Sequence, residues 1–87
     1  MMTAVYRTFT FTSEQSSAIA HLTIEGDDIR IGYQPNPTTI YNYKSRLEEV
    51  PETLNLTAQA VKDGQDLSIG KVIYNLRREG AIEEITN

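Results

Sequence analysis

The chain is expected to fold as an α+β domain, an antiparallel meander sheet of three to four strands followed by two helices packed on one face. Three observations predict this. Hydrophobic residues alternate with period two as far as Lys44 and recur at helical spacing after it. Turn-forming residues punctuate the first half at short intervals, at Gly26-Asp27-Asp28 and Pro35-Asn36-Pro37. Helix-boundary residues punctuate the second half, with Pro51-Glu52 at an entry and Asp63-Gly64 and Gly80 at exits.

Residues 4–12 are predicted as the first strand, because Val5, Phe9 and Phe11 share one face while Thr8, Thr10 and Thr12 share the other. Arg7 interrupts the apolar face, which suits a strand at the edge of the sheet. A polar turn follows over residues 12–17. In the second strand Ala18, Ala20, Leu22 and Ile24 alternate with polar positions that include His21 and Thr23. Gly26-Asp27-Asp28 then predicts a tight hairpin. In the third strand Ile29, Ile31 and Tyr33 alternate with Arg30, Gly32 and Gln34. Pro35-Asn36-Pro37 predicts a turn, since proline donates no ladder hydrogen bond. The fourth strand is expected over residues 39–43, with Tyr41 and Tyr43 on one face and Ile40 on the other.

Beyond Lys44, Val50-Pro51-Glu52 has the features of a helix start, and Leu54, Ala58 and Val61 follow at helical spacing, flanked by Leu56 and Ala60. Asp63-Gly64 ends that helix. Asp66 or Ser68 caps a second, in which Ile69, Val72, Ile73 and Leu76 form the buried stripe. Arg77 and Arg78 suit its negative end and Gly80 the position just past it. Residues 81–85 either add a short final strand or trail as a tail.

Residues 1–87 make one domain by size, with a hydrophobic content of 39% and a charged content of 23%, both near globular averages. The net charge of −4, from 8 basic and 12 acidic residues, argues against a protein that coats nucleic acid or an anionic membrane by charge alone. Without cysteine there is no disulfide, thiolate nucleophile or Cys-based zinc site. No run approaches the roughly 20 apolar residues that span a bilayer. Residues 1–12 lack the basic start and unbroken apolar run of a signal peptide, so the expected compartment is the cytoplasm. Asn55-Leu56-Thr57 matches a glycosylation acceptor and, with no secretion signal beside it, is read as chance.

Catalytic chemistry finds little support. His21 is the only histidine and lies in mid-strand, which suits a structural residue better than a ligand or base. Asp27-Asp28 is turn chemistry, because the other ligands of a calcium loop are missing. Glu48, Glu49 and Glu52 fit a solvated helix entry. Gly70-Lys71 lacks the glycine spacing of a phosphate loop. What stands out is Tyr41-Asn42-Tyr43 followed by Lys44 and Arg46. Two tyrosines at i and i+2 project to one face of a strand, and aromatics beside cations are what single-stranded nucleic acid binds. Packing of both rings under the helices, hydroxyls at the rim, accounts for the same pattern.

Ser16-Ser17-Ala18-Ile19-Ala20, residues 29–33, Tyr41-Asn42-Tyr43 and Ser68-Ile69-Gly70-Lys71, taken in that order, resemble the KTSC domain. That family is named for its occurrence at the C-terminus of some lysyl-tRNA synthetases, and it also exists as stand-alone bacterial and phage proteins. Its recurring features are an early Ser-Ser, a central Tyr-x-Tyr and a late Ser-x-Gly opening the last helix. The resemblance covers about residues 16–78. It implies no established activity, and the synthetase context implies RNA as ligand. The expected function is therefore a small non-enzymatic binding domain that contacts single-stranded RNA weakly through Tyr41, Tyr43, Lys44, Arg46 and Lys71, with no cofactor, metal or membrane involved. The alternative is a protein–protein interaction or regulatory module, an adaptor or phage-type inhibitor.

Overall fold

A computed structural model of the chain describes residues 6–85. Its elements run β1 (Tyr6–Thr10), β2 (Ile19–Glu25), β3 (Asp28–Tyr33), β4 (Asn36–Ser45), α1 (Val50–Lys62), α2 (Ile69–Arg78) and β5 (Ile82–Glu84). The five strands form one antiparallel sheet in sequence order, β1-β2-β3-β4-β5, so the meander is as expected but carries one strand more. The extra strand is β5: Ile82 pairs with Ser45 after the chain has passed through both helices. Val5, expected on the apolar face of the first strand, lies outside the described residues.

Alternation sorts the sheet into two faces. Phe9, Leu22, Ile24, Ile29, Ile31 and Tyr43 are buried on one, joined there by Val50, Leu54, Ala58 and Val61 of α1 and by Ile69 and Ile73 of α2. The other face presents Thr8, Thr23, Arg30, Asn42 and Lys44, tied by a Thr8–Thr23 hydroxyl contact at 3.2 Å and by Glu25–Arg30 and Asp28–Lys44 ion pairs at 3.0 and 3.2 Å. These pairs are exposed, and each contributes at most about 1 kcal/mol. β1 does lie at a sheet edge. Arg7 there turns toward the helices, donating to Gln59 Oε1 at 3.0 Å with its guanidinium 5.1 Å from the centre of the Phe9 ring.

Local chemistry explains the boundaries. Glu25 pairs with Asp28 across a two-residue turn in which Gly26 adopts φ 60°, a conformation costly for any residue with a Cβ. α1 has Pro51 in its first turn and ends in a Schellman-type cap, Gln65 N–H donating to Ala60 O at 3.0 Å. Ser68, one of two expected caps for α2, accepts from Lys71 N–H at 3.1 Å. The α2 stripe grades outward: Ile69 and Ile73 are buried, while Val72 and Leu76 are half-buried against the core.

Two expectations are corrected. The second strand begins at Ile19, which is buried, whereas Ala18 is exposed; the pairing of β2 with β3 shifts between Ile19 and His21. Strict alternation fails there because a bulge puts two buried residues in succession, Ile19 and Ala20, of which Ile19 joins the core cluster. The fourth strand starts at Asn36, not residue 39, so Pro37 lies inside a strand and the turn is Gln34-Pro35. Ladder pairing runs Ile31 to Tyr41 and then Tyr33 to Asn36, leaving Gly32 opposite residues 37–40. Proline's missing N–H costs nothing in such an irregularity. His21 completes the arrangement. Its Nε2–H donates to Pro37 O at 2.9 Å, and its ring lies where a Cβ on Gly32 would have to be.

Candidate nucleic-acid interface

β3 and β4 bring Tyr33, Tyr41 and Tyr43 onto the helix-covered face, with Tyr43 opposite Ile29 and Tyr41 opposite Ile31. The tyrosine pair divides. Tyr43 is 1% exposed and belongs to the core, whereas Tyr41 is 37% exposed. A stacking platform made of both rings is therefore not formed, because a base has no access to Tyr43. Tyr41 meets Tyr33 edge to face, ring centres 5.4 Å apart at 73°. The Tyr33 and Tyr43 hydroxyls are 2.9 Å apart. Arg77 reaches over from the last turn of α2, its Nη1 donating to the Tyr33 hydroxyl at 3.4 Å and its guanidinium 5.6 Å from the Tyr43 ring centre. Burial first, then the Tyr33 hydroxyl, hold the Tyr43 phenol well above the ordinary tyrosine range; Arg77 opposes that shift and Glu84 adds to it.

The expected cations do not gather around the tyrosines. Lys44 follows Tyr43 directly, so it projects to the opposite face, where it pairs with Asp28. Arg46 lies beyond the end of β4, its Nη1 4.0 Å from Glu83 Oε1. Lys71 is exposed in the first turn of α2, roughly 9 Å along the helix axis from Arg77.

Other residues take their place. Tyr74, Arg77 and Arg78 line a shallow hollow on the outer side of α2, and Tyr74 is 61% exposed. Spacing of i, i+3 and i+4 puts the three on one helix side, a signal present in the sequence but overshadowed by the core stripe at Ile69, Val72, Ile73 and Leu76. Between Ile69 and Arg78 the helix carries Lys71, Arg77 and Arg78 and no acidic residue, which makes it the most cationic element of an acidic chain. Tyr41, Tyr33, Arg77 and Tyr74 thus run as one aromatic and basic surface from the sheet onto the helix.

Among the described residues no group of three His, Cys, Asp or Glu side chains converges as a metal site would require. His21 points to the open sheet face and is engaged by Pro37 O. His21→Ala is expected to cost about 0.5–1.5 kcal/mol, the worth of that hydrogen bond, read from the midpoint of a urea melt. Asn55 lies half-buried within α1, unlike the exposed loops that glycans occupy.

Fold and surface together define a small α+β domain with a one-sided sheet and a basic helix end. No family model, no curated protein and no solved structure matches the chain. No helix among the described residues is long and apolar enough to cross a membrane.

Proposed function

We propose that the chain is a small non-enzymatic binding domain of the cytoplasm that holds single-stranded RNA weakly through Tyr41, Tyr74, Arg77 and Arg78. The observation that carries this reading is the exposure of Tyr41 and Tyr74, linked through Tyr33 and Arg77, with Arg78 in the same hollow as Tyr74. Bases stack on the two rings while the guanidinium groups meet phosphates. Lys71 extends the track along the helix; Lys44 and Arg46, held near carboxylates on β3 and β5, contribute little. The resemblance to the KTSC domain supports the same reading.

Fluorescence anisotropy with short RNA oligonucleotides tests it. Each exposed tyrosine contributes about 1–3 kcal/mol, so Tyr41→Ala with Tyr74→Ala should abolish measurable binding. Two or three neutralised phosphates give a slope of log K against log salt of about −1.4 to −2.1. With a net charge of −4, affinity at physiological salt is expected to be micromolar or poorer. No binding at low salt, or equal binding by wild type and double variant, would replace this reading with a protein partner.

A further inference from the structure

The Tyr43 hydroxyl is inside the protein, and the Tyr33 hydroxyl at 2.9 Å is its hydrogen-bond partner. Two hydroxyls sharing one bond leave one proton over. Were Tyr33 the donor, the Tyr43 proton would be buried without an acceptor, which is the costlier arrangement. Tyr43 therefore donates and Tyr33 accepts. The Tyr33 oxygen also accepts from Arg77 at 3.4 Å, so both of its lone pairs are engaged. Its own proton is left pointing away from Tyr43, with no acceptor among the described residues. Beside it stand the Arg77 N–H groups that carry no bond among the described residues, and Arg77 shares a hollow at the exposed end of α2 with Arg78. Donors without an acceptor between them are complementary to an oxyanion.

We infer that the Tyr33 hydroxyl, Arg77 and Arg78 form a seat for one phosphate group. The inference deepens the RNA reading and rests on it for the source of that phosphate, a backbone group adjoining the base stacked on Tyr41. Glu84, opposite Tyr43 on β5, adds a negative charge nearby, so free inorganic phosphate binds much more weakly than an RNA phosphate anchored by stacking.

Nitrogen-15 NMR of the whole chain, titrated with inorganic phosphate and separately with a short RNA, tests the seat. Phosphate should move the Arg77 and Arg78 side-chain signals saturably, while chloride at equal ionic strength should not. The double variant Tyr33→Phe, Tyr43→Phe keeps both rings and strands no buried hydroxyl. It should bind RNA about tenfold more weakly, as expected for a lost hydrogen bond to a charged group. Arg78→Gln, an exposed change that leaves folding intact, should reduce the salt slope by about 0.7. If RNA binds the wild type and the double variant equally, the seat is overturned while the RNA reading stands. If phosphate titrates both arginines but RNA does not bind, the seat stands and the RNA reading falls. Silence toward both ligands overturns both.

Discussion

Ile73→Ala should destabilise the protein by about 2–5 kcal/mol, the cost of deleting a buried aliphatic side chain and leaving its cavity. Ile73 is 1% exposed and sits where α2 meets the sheet, in one cluster with Leu54 of α1 and Ile31 and Tyr43 of the sheet. A chain of 87 residues has a total stability of only about 4–13 kcal/mol, so this one change removes a large share of it. Collapse around the gap is limited because Gly70, one turn earlier, already holds the helix close: a Cβ there would lie 3.0 Å from the Ala18 Cβ. Urea melts should show a lower midpoint with an unchanged slope. Tyr74→Ala, on the solvent side of the same helix, should stay within about 0.5 kcal/mol. A loss under 1 kcal/mol for Ile73→Ala would mean that the helix face is wrongly assigned.

The second large effect is a contrast within one tripeptide. Tyr43→Ala should cost about 3–5 kcal/mol, whereas Tyr41→Ala, at a third-exposed position with an edge contact to Tyr33, should cost no more than about 1.5 kcal/mol. Tyr43 also links stability to alkaline pH. Its phenol is held above the usual value near 10, chiefly by burial, so the folded state keeps that proton more tightly than the unfolded chain does. Its contribution is complete below pH of about 10 and is lost as pH rises beyond that, since only the unfolded form can ionise there. Melts at pH about 9 and 11 should show the wild type losing more stability than Tyr43→Phe. Equal losses would mean that the Tyr43 hydroxyl is not buried.

Much of this was legible locally. The period-two runs at Ile29, Ile31 and Tyr33 and the helical stripe at Ile69, Val72, Ile73 and Leu76 are strong enough to define their elements without neighbours. Gly26, Gly64 and Gly80 each mark a turn or helix end and each adopts positive φ. Less legible was the second strand, where alanines carry little hydrophobic signal and a bulge at Ile19 and His21 changes the phase. Pro37 misled for a related reason. Its tolerance in β4 depends on Gly32 opposite and on a hydrogen bond from His21, residues 5 and 16 positions away.

The sequence by itself determined the α+β class, the order of the first four strands and the two helices, the proline and glycine that mark helix boundaries, and the shared face of Tyr41 and Tyr43, because periodicity and turn chemistry are properties of adjacent residues. Only the tertiary structure decided that the three-residue β5 joins the sheet, for so short a strand has no stability of its own and forms when Ser45 is there to pair with Ile82. It also decided which tyrosine is core and which surface. The i, i+2 rule places both rings on one face of β4, but how far α2 extends along that face is set by packing between distant segments. Arg77 and the helix cover Tyr43 and stop short of Tyr41, and the aromatic and basic surface exists only where they stop.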